Sequence, residues 1–111
     1  MAERVDEIGF GGLKLIQDTE MFCYGVDAVL LAHFASAEPH EKVIDLGTNN
    51  GVIPLLMSRM SSAAHIVGVE MQERACRLAE RNARANGLEK KNPHMPYGYP
   101  GSAGVFLCRQ F

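Results

Sequence analysis

Lys42-Val-Ile-Asp-Leu-Gly-Thr-Asn-Asn-Gly51 runs from a short apolar segment straight into a turn bracketed by glycines. Val43, Ile44 and Leu46 are strand formers, and their run is the pattern of a strand covered on both faces. Asp45 stands near its C-terminal end. Val52-Ile-Pro-Leu-Leu-Met57 then begins a helix near Gly51, with Pro54 in a first turn where a missing N–H costs little. Open α/β sheets bind ligands at such strand–turn–helix junctions, outside the carboxyl ends of the strands. Glycines there let backbone approach a ligand with no Cβ in the way.

After Ser58 to Ala64, a polar connection, His65-Ile-Val-Gly-Val-Glu70 is a second apolar strand, ending in a carboxylate. Its distance from the turn suits an acid that accepts hydrogen bonds from ribose hydroxyls. Strand, glycine turn, helix and acid-tipped strand together predict an α/β fold that takes an adenosine-containing ligand.

The rest of the chain narrows the class. At 111 residues it is one domain or part of one, and 47% hydrophobic with 22% charged residues is a globular composition. A net charge of −2 removes any global basic field that would demand a nucleic-acid partner, while leaving room for a local patch. Cys23, Cys76 and Cys108 are widely spaced and odd in number, which reads as free thiols and not as a disulfide frame or metal site. Val26 to Ala37, the longest apolar stretch, is broken by Asp27 and His33 and is too short to cross a bilayer. With no apolar signal core behind a charged N-terminus, a cytoplasmic location is expected.

Upstream of the central strand, Met1 to Glu7 reads as a polar lead-in, and Ile8 to Gln17 as a hairpin turning near Gly11-Gly12. That hairpin either covers a sheet edge or uses Arg4 and Lys14 on a phosphate backbone. Asp27 is the expected N-cap of a helix over Ala28 to Ala35 that is apolar on most sides and so expected in the core. His33 reads as a satisfied or surface histidine. Downstream, Gln72 to Asn86 is a clear helix with Ala75, Leu78, Ala79 and Ala83 as its packing stripe and Gly87 as its stop. Its arginines pair along the helix with Glu73 and Glu80 and read mostly as a solvated face.

Asp45-Leu-Gly-Thr-x-x-Gly51, Val67-Gly-Val-Glu70 and Arg81-Asn-Ala-Arg-Ala-Asn-Gly87 resemble the class I S-adenosylmethionine-dependent methyltransferases. With Gly9 to Gln17 and Phe22 to Ala32 added, the chain is similar to the small-domain enzymes of bacteria that methylate N6 of adenine 37 in valine tRNA. The resemblance implies a Rossmann-like α/β fold, S-adenosyl-L-methionine as cofactor and tRNA as partner. It further implies that Asp45, Gly47, Thr48 and Gly51 hold the methionine end, that Glu70 binds the ribose and that Met71 flanks the adenine. Tyr24, Gly25 and Asp27 would close over the pocket. The family carries glycine and threonine where this chain has Asn49 and Asn50. Asparagine tolerates positive φ, so the turn is expected to survive.

Three segments follow: 1–37, a hairpin and helix over the cofactor site; 38–91, a β-α-β-α cofactor-binding half; and 92–111, an aberrant tail rich in proline and glycine. The family would continue there with further strands and an Asn-Pro-Pro-Tyr that holds the target amine. Asn92-Pro93 is only a superficial echo, so no catalytic residue is assigned. Lys90-Lys91-Asn92 is encodable by a nearly unbroken adenine run, and with suitable codons the tail read one base later yields strand-like segments. A frameshifted, truncated ending is the expectation, with unpaired sheet edges that self-associate. Alternatives are a methyltransferase of another RNA or of a protein amide, a non-catalytic fragment, or a nicotinamide-binding fold. The last is weakened by the missing Gly-x-Gly-x-x-Gly.

Overall fold

The computed structural model describes residues 2–8, 12–21, 23–61 and 65–88, and the backbone of 108–109. The chain opens with an antiparallel hairpin of β1 (Glu3–Glu7) and β2 (Lys14–Asp18), registered from Glu3 opposite Asp18 to Glu7 opposite Lys14. Gly12 takes φ +74° in the turn. The expected polar lead-in is therefore a strand. Val5 is the one strand former in Glu-Arg-Val-Asp-Glu, so pairing with β2 supplies most of what makes the segment extended. β2 buries Leu15 and Gln17 beside Leu13, the period-2 face that a half-buried strand presents.

Helix α1 (Val26–Ala35) starts one residue before Asp27, with Gly25 as its N-cap. Asp27 lies in the first turn, where its charge meets the positive end of the helix dipole. The expectation that α1 is packed in the core fails. Ala32 is its one buried residue, while Val26, Leu30 and Phe34 are 73%, 64% and 85% exposed. α1 packs along α2 (Val52–Met60), which is helical through the first three residues expected as connection.

β3 (Lys42–Leu46) and β4 (His65–Val69) pair in parallel, from Lys42 opposite His65 to Leu46 opposite Val69. β4 also pairs with β5 (Cys108–Arg109), so the order is β3-β4-β5. β3 is not covered on both faces, because Ile44 and Leu46 are 63% and 72% exposed. The backbone of β5 is the one part of 92–111 within the described residues, and it supplies a short strand that proline and glycine content did not announce. The frameshift reading otherwise lies outside the described residues.

Helix α3 (Glu73–Ala85) buries the expected stripe together with Cys76 and Asn82. Its stop is a Schellman closure: Gly87 at φ +68° donates to Arg84 O at 3.1 Å, and Leu88 to Ala83 O at 2.8 Å. All four of its arginines are exposed, as the solvated-face reading expects, but two of them also tie α3 to the hairpin segment. Arg81 makes two bonds to Glu3, at 2.6 and 3.0 Å, and Arg74 bridges Asp18 and Glu20. Burial would raise the Asp18 carboxyl, but the Glu20 N–H and the Arg74 guanidinium bring it below its ordinary value. Leu13 and Leu15, Ala32, Leu55 to Met57, Ile66, Ala79 and Ala83 form one apolar core. Each fully buried leucine there contributes about 1.5–3 kcal/mol. Cys23 is a free thiol, whereas Cys76 is disulfide-bonded, against the expectation of three free thiols. Among the described residues no helix is long and apolar enough to cross a membrane.

Candidate functional site

The core holds β3 against β4, and this brings the turn after β3 to the acid after β4. Gly47 N–H and Thr48 N–H both donate to the Val69 carbonyl, at 2.8 and 2.9 Å. Asn49 N–H then donates to Glu70 Oε1 at 2.8 Å, and the other carboxylate oxygen accepts Gln72 N–H at 3.0 Å. Gly51 N–H closes the turn on Thr48 O at 2.9 Å, and Gly51 caps α2. Gly47, Asn49 and Gly51 take φ of 74°, 53° and 84°, so three of the five turn residues are left-handed. Asparagine at 49 accepts that conformation at lower cost than most side chains.

Space is open over the turn, for nothing lies within 4 Å of a Cβ built on Gly47. Asn50 does not occupy that opening with an exposed side chain, since it is only 2% exposed. Beside the opening, Asp45 Oδ2 and Thr48 Oγ1 are buried without a hydrogen-bond partner. Burial raises the Asp45 carboxyl above its ordinary value; the nearby Thr48 hydroxyl opposes this and the Glu70 charge adds to it. Thr48 Oγ1 is near enough to favour the charged carboxylate but is not in hydrogen-bonding geometry with it. Asn50 Oδ1, in the same turn, is also buried without a partner; buried polar atoms are usually satisfied, so these are the atoms of the turn that could take a polar group from outside. α2 begins here with no acidic residue of its own in its first turn, and a helix N-terminus favours negative charge.

Thus Asp45, Gly47, Thr48, Gly51 and Glu70 come together in one cradle. Met71 is 74% exposed at its rim. Tyr24 and Gly25 lead into α1, with Gly25 its N-cap and Asp27 in its first turn, and α1 packs along α2. Tyr24 is half-buried against the core, and its N–H donates to Gln17 Oε1 at 2.9 Å. Gln17 is missing from the expected set although its signal was legible: it follows Leu13 and Leu15 on the buried face of a strand. Asn82 was missed too. It is fully buried, and it bonds both β2 and the turn. As for phosphate contacts by the hairpin, Arg4 is paired with Asp6 at 2.9 Å, and carboxylates outnumber cations around it. Among the described residues no group of His, Cys, Asp and Glu is arranged to hold a metal ion.

Comparison with known proteins bears on this geometry. The family model described as methyltransferase small domain matches residues 12–96. The tRNA1(Val) (adenine(37)-N6)-methyltransferase of Mannheimia succiniciproducens is 39% identical over 61 residues, 54% of this chain and 25% of that protein. The enzyme of the same name from Actinobacillus succinogenes is 36% identical over 63 residues, 56% of this chain and 27% of that protein. The chain therefore matches about a quarter of the length of these relatives. Among solved structures, P. horikoshii TYW2 in complex with MeSAdo superposes with a TM-score of 0.69 at 14% identity, over 97% of this chain and 35% of that one. An RNA methyltransferase from Salinibacter ruber, in complex with S-adenosyl-L-homocysteine, gives 0.57 at 20% identity, over 82% and 50%. At these identities the two structures share the fold.

Proposed function

The chain belongs to the methyltransferase small-domain family, with its Rossmann-like class I fold, and we propose that it binds S-adenosyl-L-methionine in the service of N6 methylation of a tRNA adenine. The observation that carries this reading is the Glu70–Asn49 bond at 2.8 Å, which joins the strand-end acid and the glycine turn into one cradle.

The residues present fit the cofactor. Gly47 leaves the room a nucleoside–amino acid conjugate needs, and the unpartnered Asp45 and Thr48 atoms offer an acceptor and a hydroxyl to its polar end. The positive end of α2 suits the ligand's carboxylate. Each Glu70 oxygen has accepted one backbone N–H and retains a lone pair for a ribose hydroxyl. Met71 lies next in sequence, where its flexible thioether would cover an adenine ring. Tyr24, Gly25 and Asp27 would close the pocket from the start of α1.

When bound, S-adenosyl-L-methionine supplies an electrophilic methyl group on a sulfonium. The work of this chain is to hold that methyl in a fixed direction with water kept from the cradle. A target amine must be aligned with it, and a flipped adenine presents one. No described residue is assigned to that amine. The tRNA substrate rests on likeness to relatives that are about four times longer than the matched segment, and it implies a cytoplasmic location. The exposed Ile44 and Leu46 of β3, with α1's apolar face, support self-association. The reading of residues 92–111 as frameshifted is tested by sequencing the nucleotides that encode Lys90-Lys91-Asn92.

Calorimetry on the purified 111-residue chain tests the central reading. S-adenosyl-L-methionine should bind in the micromolar range and NAD⁺ should not. A folded chain that takes up neither would overturn the assignment, and preference for NAD⁺ would move it to the nicotinamide-binding class.

A further inference from the structure

Two asparagines on α3 take the place of a strand. Asn82 Oδ1 accepts Ile16 N–H at 2.6 Å and its Nδ2 donates to Ile16 O at 3.0 Å. Asn86 repeats this with Lys14, at 2.9 and 2.7 Å. The spacing explains why a helix can do it: four residues of helix rise about 6 Å and two residues of strand about 6.8 Å. Side-chain amides at i and i+4 therefore meet alternate peptide groups on the edge of β2 that faces away from β1.

The two amides differ in one respect. Asn82 Nδ2 also donates to the backbone carbonyl of Asn50 at 2.9 Å, whereas the second donated bond of Asn86 goes to its own helix, at Asn82 O. Asn50 and Gly51 share a peptide that is planar and trans, so a carbonyl held towards α3 forces the Gly51 N–H to point the other way. That is where it finds Thr48 O, at 2.9 Å. Gly51 stands at φ 84°, and as a glycine it would otherwise have wide freedom to rotate. Asn82 is 0% exposed, so the bond to Asn50 is shielded from competing water.

We infer that Asn82 is a positioning residue for the cofactor turn, holding the Asn50–Gly51 peptide in the orientation that closes the cradle, while Asn86 serves the hairpin alone. The consequence for binding rests on the S-adenosyl-L-methionine reading above; the consequence for the turn does not. Without Asn82 the ligand would have to impose the turn's conformation itself, and affinity would fall by that amount.

The test compares Asn82→Ala with Asn86→Ala in the full 111-residue chain. Both lose an amide pair to β2, so both should lower the melting temperature. Asn82→Ala alone should speed amide exchange at Asn49 and Gly51, and weaken S-adenosyl-L-methionine binding about tenfold. Asn86→Ala should leave the exchange of those two amides unchanged and affinity within about twofold. Equal effects of the two variants on the turn amides would overturn the inference. Should Asn82→Ala not fold, Asn82→Ser is compared with Asn86→Ser: the short hydroxyl cannot reach both Ile16 and Asn50 as the amide does, and it buries no charge. If the parent chain binds no S-adenosyl-L-methionine, the functional reading fails, while amide exchange still decides the role of Asn82.

Discussion

Glu70 Oε1 accepts the backbone N–H of Asn49 at 2.8 Å, across 21 positions of sequence. One carboxylate thus fixes a left-handed residue of the turn and, on the proposed reading, keeps lone pairs for a ribose. Removing it should loosen the site before it loosens the fold. Glu70→Gln retains one acceptor but turns an N–H₂ towards one of the two backbone donors, and should weaken S-adenosyl-L-methionine binding at least about tenfold. Glu70→Ala should abolish measurable binding with a loss of stability of about 1.5–3 kcal/mol. Calorimetry and thermal denaturation on the same samples check both figures.

Gly47 separates conformational cost from occupancy. A methyl there meets nothing in the chain, so Gly47→Ala is strained only by φ 74°, at about 1–2 kcal/mol. The variant should fold and yet fail to bind, because the methyl enters the space left for the ligand. Gly25→Ala is the contrast: its Cβ would approach Asp27 Oδ1 at 2.9 Å, the end of an exposed side chain that can turn aside. Its backbone is extended, at φ −127°, and stability should change little. The melting curves of the two variants should diverge accordingly, and calorimetry on Gly47→Ala checks its loss of binding.

Asp45 makes stability depend on pH in a stated direction. Burial raises its carboxyl in the folded chain, so the folded state holds its proton to higher pH than the unfolded state does. Stability is unaffected below the unfolded value, near about pH 4, and falls as pH rises through the folded value. Asp45→Asn should therefore lose less stability than the parent between about pH 4 and pH 7. The parent should bind a cationic sulfonium ligand more tightly as pH rises and Asp45 ionises; the variant should show a flatter and weaker profile. A steeper stability loss in Asp45→Asn would contradict the assignment.

Phe34, 85% exposed, lies in one row with Val26 and Leu30 on the outer side of α1. Phe34→Glu removes apolar surface without touching the core. Sedimentation at increasing concentration should show less self-association than in the parent, and the melting temperature of the dilute protein should stay within about 2 °C. Leu46→Lys on the open face of β3 should act in the same sense.

What could be read in advance was local. The apolar run from Val43 to Leu46, its glycine turn and the acid at Glu70 specify a strand, a tight turn and a second strand through side-chain shape and backbone freedom alone. The stripe on α3 and the Gly87 stop are likewise short-range. Strand β1 was not legible, because Glu3–Glu7 becomes extended only against β2, which returns after a turn. The exposure of α1 and of β3 was misread for a related reason: composition says that a residue is apolar, but not whether a neighbour arrives to cover it.

The sequence by itself thus determined the β-α-β-α order and the cradle's own residues, since both follow from periodicity and from glycines at fixed spacing. Tertiary structure decided what steadies that cradle. Asn82, 32 positions from Asn50 and 66 from Ile16, became a hinge pin between hairpin and turn only when packing of α3 carried its amide to both. A hydrogen bond needs its partners within about 3 Å, and over such separations only the folded core brings them there.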